Sequence, residues 1–171
     1  MKELFSPDPA TTTQPDTSLL APQSGSDPLQ NGVFQWPARV YWEDTDAGGV
    51  VYHANYLKFF ERSRSEWLRA LGIEQKSLRD TTGGVFVVTD AELRYHRPAC
   101  LDDELIVTAR TVKAGQATLV IAHQALRKPA QAGSGPAALL CEGTIRMGWV
   151  EGASLRPGRI PASILARLKN R

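Results

Sequence analysis

Residues 41–56 read YWEDTDAGGVVYHANY, and the reading of this stretch sets the rest of the chain in order. Just before it and into it, Ala38–Glu43 alternates with aromatic and branched residues, which predicts a first strand. Asp44 and Asp46 stand one residue apart where that strand ends. Gly48 and Gly49 follow, and His53 and Asn55 then open a helical pattern. Over Asn55–Leu71 the residues Tyr56, Phe60, Ser63, Trp67 and Leu71 recur at steps of three and four, with Leu57, Phe59 and Leu68 widening the stripe. Lys58, Glu61, Arg62, Arg64 and Arg69 fall mostly on the other side, and Gly72 is placed to end the helix. A stripe this broad predicts a helix lying lengthwise on a sheet.

Four further strands are expected. Val85–His96 is rich in branched residues and is stopped by Pro98. Glu104–Val112 closes at Lys113-Ala114-Gly115, Ala117–Leu126 runs into a loop of Pro129, Gly133, Gly135 and Pro136, and Ala138–Val150 completes the set. A short helix is expected over Pro161–Leu168. One strand, one long helix and then four strands without a helix between them make an α+β chain with a largely antiparallel sheet.

The stretch EDTDAGGVVYHANYLKFFERSRSEWLR resembles the signature of the hotdog-fold acyl-CoA thioesterases. It is most similar to the Tol–Pal-associated (YbgC-type) branch, a relative of the 4-hydroxybenzoyl-CoA thioesterases. The resemblance continues through LRYHRPACLDDELIV to LLCEGTIRMGWVE and covers roughly residues 38–151. It implies the hotdog fold, a curved antiparallel sheet of about five strands wrapped round a long central helix. It also implies hydrolysis of an acyl-CoA to free acid and coenzyme A, with coenzyme A entering only as part of the substrate and no other cofactor. The implied assembly is a homodimer or homotetramer with the site at the seam between subunits. Two alternatives remain open within the resemblance: a thioesterase acting on acyl carrier protein, and a low-turnover scaffold of the Tol–Pal and phospholipid machinery. A hydratase of the same fold would need a His and an acid poised across the acyl β-carbon, which this motif does not resemble.

In the resembling enzymes the second acid of the D-x-D pair is the catalytic carboxylate, and Asp46 occupies that position. The chemistry fits the residue type. A thioester is opened by attack on its carbonyl carbon, by a carboxylate or by water that a carboxylate activates. The leaving thiolate is weakly basic, so a strong general acid is not required. Asp before glycine is also a common turn cap, so Asp46 admits that use too. Asp44 is expected to hold the loop by hydrogen bonds. The His53 backbone N–H matches the amide that polarises the carbonyl in the 4-hydroxybenzoyl-CoA enzymes, and a helix start favours negative charge there. Its imidazole is expected to orient or protonate. Gly48 and Gly49 are expected to let the backbone approach the acyl group or adopt positive φ. Tyr52 and Asn55 are expected to support the site, Asn55 as a helix N-cap, while Tyr56, Phe60 and Trp67 suit the core.

The remaining features narrow the class. Residues 1–35 carry Pro7, Pro9, Pro15, Pro22 and Pro28 among Thr, Ser, Gln and Asp, a composition that predicts a disordered tail, so residues 36–171 are expected to form the domain. With 42% hydrophobic residues the domain has the material for a core, and a net charge of +2 gives no support for nucleic-acid binding. Arg94, Arg97 and Lys113 suit coenzyme A phosphates and solvated strand ends equally. Cys100 and Cys141 have no disulfide or metal spacing, and His96 and His123 stand in no motif, so no metal site is expected. No apolar run reaches the roughly 18–20 residues of a membrane span and no apolar leader opens the chain, which together predict a cytoplasmic protein.

Overall fold

In the computed structural model, which describes residues 29–30, 32–129 and 136–169, the helix that the stripe predicts runs over Asn55–Ala70 (α1). Its end is a Schellman motif. Gly72 takes φ +71° and donates to the Arg69 carbonyl at 2.9 Å, while Ile73 donates to the Leu68 carbonyl at 2.9 Å. Ile73 and Leu68 are both buried in one apolar cluster, so the turn is sealed by packing as well. The buried face of α1 carries Tyr56, Phe59, Phe60, Ser63, Trp67 and Leu68 as expected. Two positions differ. Leu57 is 39% exposed and does not widen the stripe, whereas Arg64, expected on the outer side, is only 8% exposed.

The sheet under this helix has the order β1-β2-β4-β5-β6-β3, with every neighbouring pair antiparallel. Its long strands are β2 (Val33–Arg39), β3 (Gly84–Tyr95), β4 (Glu104–Ala114), β5 (Thr118–Arg127) and β6 (Ala138–Glu151). A two-residue strand, β1 (Leu29–Gln30), pairs with the start of β2. Register shifts at Val88/Asp90, Thr111/Lys113 and Ala125/Leu126 mark irregularities of the kind that bend a strand and increase its twist. Long helix on one face, five long antiparallel strands: this is the hotdog arrangement.

The first strand is the main correction. It was expected over Ala38–Glu43 and instead spans Val33–Arg39, while Trp42–Asp44 form a 3-10 turn. Phe34 is buried against α1's cluster, so the ordered domain begins before residue 36. Pro37 lies within β2, near the sheet edge where a missing N–H is tolerated. Residues 1–28 and 31, most of the expected tail, lie outside the described residues. A helix not foreseen, α2 (Gln75–Thr82), follows α1, and the C-terminal helix is present as α3 (Ala162–Lys169), which buries Ile164 and Leu168.

The core is two clusters along α1. Tyr56, Phe59 and Phe60 pack with Val40, Leu105, Val107 and Leu140 toward the N-terminal half, and Trp67 and Leu68 pack with Ile121, Ile145 and Met147 toward the other. At their junction Phe60 lies on the sheet over Gly143. A Cβ on Gly143 would meet the Phe60 ring at 3.1 Å and the Glu92 carbonyl at 2.9 Å, so only glycine fits beneath that ring.

Candidate active site

The loop between β2 and α1 is a chain of short-range hydrogen bonds. Asp44, 2% exposed, accepts from the Tyr41 N–H at 2.9 Å through Oδ2, and its carbonyl accepts from the Tyr52 N–H at 2.9 Å. It holds the loop, as expected. A bridge between Thr45 and Val51 then forms a tight hairpin in which Asp46 N–H donates to the Val50 carbonyl and Gly49 N–H donates to the Asp46 carbonyl. Gly49 turns the corner at φ +75°, a conformation that disfavours any side chain. Gly48 serves differently: its N–H donates to Asp46 Oδ1 at 2.8 Å, and a Cβ there would come within 3.0 Å of that oxygen.

Asp46 therefore does cap its own turn, through one oxygen. The second carboxylate oxygen, Oδ2, makes no hydrogen bond among the described residues, and the residue is exposed. A carboxylate anchored by one oxygen and free at the other has a fixed direction and a free lone pair. That is a geometry for attack or for proton abstraction.

Directly after the hairpin come Tyr52, His53 and Ala54. Asn55 is not the N-cap that was expected; Ala54 holds that position and Asn55 is the first helical residue. The Asn55 side chain is buried and reaches back instead, donating from Nδ2 to the Glu43 carbonyl at 3.3 Å. It ties the helix start to the turn that precedes Asp46. No side chain caps the helix; of its first amides, Asn55 N–H donates to the Tyr52 carbonyl and Leu57 N–H to the Ala54 carbonyl. The N–H groups of His53 and Ala54 make no hydrogen bond among the described residues, and they point the positive end of a 16-residue helix toward the loop. The His53 imidazole is exposed and lies 4.4 Å, centroid to centroid, from the Tyr52 ring, with no hydrogen bond of its own among the described residues.

Tyr95 belongs to this group and sequence reasoning passed over it. Its hydroxyl donates to the His53 carbonyl at 3.1 Å and its ring stands edge-on to His53 at 6.4 Å and to Tyr56 at 5.7 Å. The only signal was its place in LRYHRP, where β3 ends. Tyr56 itself is core, its hydroxyl accepting from the Ala99 N–H at 3.1 Å, and burial pushes its pKa up.

Other polar groups stand apart from this loop. Open cavities of about 650 and 720 Å³ lie on the sheet, the first around Arg94, Thr108, Arg110 and Glu142 and the second around Arg39, Asp103 and Arg127. Neither is lined by residues 41–56. Cys141 is buried and its thiol is pushed up to about 12, the behaviour of a packing thiol. Among the described residues no His, Cys, Asp and Glu cluster could hold a metal ion, and no helix is long and apolar enough to cross a membrane.

His123 is a buried group whose protonation bears on stability. It is 1% exposed, stacked on Phe60 at 5.0 Å, and bonded through Nδ1 to the Thr108 carbonyl at 2.8 Å, while Nε2 has no partner. Burial, with the nearby Arg64 cation adding to it, lowers its pKa from 6.5 to about 3. The unfolded chain thus binds a proton that the folded chain refuses between those values, so stability rises with pH across that window. Full stability holds above about pH 6.5, and each pH unit below it costs up to about 1.4 kcal/mol until the folded value is reached. Urea titrations between pH 4 and 7 should show that slope in the wild type and a flatter one in His123→Phe; equal slopes would exclude His123 as its source.

Comparisons with known proteins bear on the chain's family and fold. The model of the thioesterase-like superfamily matches residues 40–168. The acyl-CoA thioesterase YbgC of Haemophilus influenzae is 38% identical over 138 residues, 81% of this chain and 95% of that protein. The acyl-CoA thioester hydrolase YbgC of Escherichia coli O6:H1 is 36% identical over 82% of this chain and 99% of its own length. Among solved structures, a probable thioesterase from Bartonella henselae superposes with a TM-score of 0.66 at 32% identity, covering 75% of this chain and 99% of that one. A mutant 4-hydroxybenzoyl-CoA thioesterase complexed with 4-hydroxybenzoyl-CoA superposes at 0.73 with 16% identity over 80% of this chain and 99% of its own, a likeness of fold alone. Family model, full-length relatives and fold point one way, and the chain belongs to the thioesterase-like superfamily.

Proposed function

We propose that the protein is an acyl-CoA thioesterase that works through Asp46 and the open amides at the start of α1. The observation that carries this reading is the pairing of a half-anchored carboxylate with unpaired N–H donors a few residues on. The thioester carbonyl oxygen would accept from the His53 N–H, which lowers the cost of negative charge as the tetrahedral species forms. Asp46 Oδ2 either attacks the carbonyl carbon, giving an anhydride that water then opens, or takes the proton from an attacking water. Both routes break the C–S bond, expel the coenzyme A thiolate and end in a carboxylic acid and a thiol. Neither requires a metal or prosthetic group. Gly48 and Gly49 leave the approach to the carboxylate clear of side chains, and Tyr52 and Asn55 hold the two sides of the loop.

The reading includes an assembly and a place. Asp46, Gly48, Gly49, Tyr52 and His53 are all exposed in the single chain, so a second copy is proposed to enclose the acyl group. The free edge of β3 is a surface on which that copy can pair. The proposed compartment is the cytoplasm, where acyl-CoA and acyl carrier protein are both available. Thiol release from a panel of acyl-CoAs, with the same acyl groups on acyl carrier protein, tests the function. Turnover of the coenzyme A esters is expected; faster turnover on the carrier protein would make that protein the substrate carrier, and no turnover on either would leave a scaffold.

The role of His53 separates by mutation. His53→Ala keeps the backbone donor and is expected to retain at least ~1–10% of wild-type kcat, because losing a donor outright costs on the order of 100- to 1,000-fold. A fall as deep as that of an Asp46 variant, with a changed acidic limb in the pH–rate profile, would instead make the imidazole a proton shuttle.

A further inference from the structure

Two successive peptide units meet at the start of α1, and each is held by its carbonyl. The Tyr52–His53 unit carries the His53 N–H, and the Asn55 N–H donates to its carbonyl at 2.8 Å. The His53–Ala54 unit carries the Ala54 N–H, and here the donor is a side chain distant in sequence, the Tyr95 hydroxyl, at 3.1 Å. A peptide unit is planar, with its C=O and N–H pointing in opposite directions. Fixing the carbonyl therefore fixes where the amide aims.

We infer that Tyr95 is a positioning residue for the thioesterase reaction: by holding the His53 carbonyl it aims the Ala54 N–H, which acts as a second donor to the developing oxyanion beside that of His53. The inference rests on the function proposed above. Three observations support it. Ala54 N–H makes no hydrogen bond among the described residues, so it is free for a ligand. The Tyr95 ring is braced edge-on against Tyr56 and His53, which keeps its hydroxyl from wandering. And no backbone N–H among the described residues donates to the His53 carbonyl, since Leu57 N–H goes to the Ala54 carbonyl instead, so the Tyr95 hydroxyl is what holds this peptide unit. Ala54 lies at the very first turn, where a carbonyl-side anchor decides between an aimed amide and a swinging one.

The test is Tyr95→Phe in the full chain, which removes one hydroxyl and keeps the ring. Expected is a kcat lower by about 10- to 100-fold, short of the loss of an entire oxyanion donor, with KM for acyl-CoA within about 3-fold and an unchanged melting temperature. Tyr95→Leu should fall at least as far. A spectroscopic arm reads the aim directly. In an Asp46→Asn background with bound benzoyl-CoA, the thioester carbonyl stretch should sit below its free value, and adding Tyr95→Phe should move it back toward that value. Wild-type kcat in folded Tyr95→Phe, a change confined to KM, or an unmoved carbonyl stretch would each overturn the inference. Wild-type protein inactive on every acyl-CoA would instead remove the proposed function itself, so the two failures are distinguishable.

Discussion

Asp46→Asn is expected to lower thioesterase kcat by at least ~100-fold while leaving folding and assembly nearly unchanged. The substitution keeps the shape of the side chain. Its amide oxygen can still accept from the Gly48 N–H, the bond of 2.8 Å that caps the hairpin. What it removes is the anionic oxygen that has no partner in the loop. Nucleophile and base are lost together, so the size of the fall does not depend on which route the carboxylate takes. A factor of 100 is about 2.7 kcal/mol of transition-state stabilisation. Melting temperature and elution volume should match the wild type, and turnover should not. Full activity in a folded Asp46→Asn protein would falsify the mechanism, leaving Asp46 as a turn cap.

Phe60→Ala is expected to damage the fold severely, at about 4 kcal/mol. Phe60 is fully buried, stacks on His123 and lies over the sheet where Gly143 has no side chain. Because the glycine below cannot supply atoms to fill the space, the cavity should stay open and the cost should lie toward the upper part of the range for such truncations. The loss should appear as a fall in melting temperature of roughly 10 °C at fixed protein concentration. A loss under about 1 kcal/mol would mean that the helix settles onto the sheet, and that this contact does not fix its position.

Much of this was legible because it obeys periodicity. The α1 stripe has a 3.6-residue period, its glycine stop stands where a Schellman turn needs it, and β3 through β6 were found within a few residues of their ends. The strand β2 was misplaced although Phe34, Trp36, Ala38 and Val40 alternate with Gln35, Pro37 and Arg39: Pro37 in its middle argues against a strand, and only its place near the sheet edge lets it stay. Pattern also misjudged Arg64. A charged residue reads as outward, yet its place on the α1 face beside Ser63 carries it inward. The site shows the same division. Asp46, Gly49 and His53 could be read together as candidates because they lie close to one another in one loop. Tyr95 could not, since it reaches the loop across 42 residues of chain and only the folded sheet brings its hydroxyl to the His53 carbonyl. Asn55 was seen but misassigned, because a polar residue at a helix start suggests a cap and only coordinates reveal a back-reaching amide.

The claim that the loop of residues 41–56 is where thioesters are opened is tested most directly by a crystal structure of Asp46→Asn soaked with an acyl-CoA that the variant hydrolyses too slowly to lose. The thioester carbonyl oxygen should lie about 2.7–3.1 Å from the His53 amide nitrogen, with the residue 46 side chain facing the carbonyl carbon and the acyl chain running between two copies of the protein. Acyl density elsewhere, in the cavity around Arg94 and Glu142 or beside Arg39 and Arg127, with the helix start still unoccupied, would contradict it.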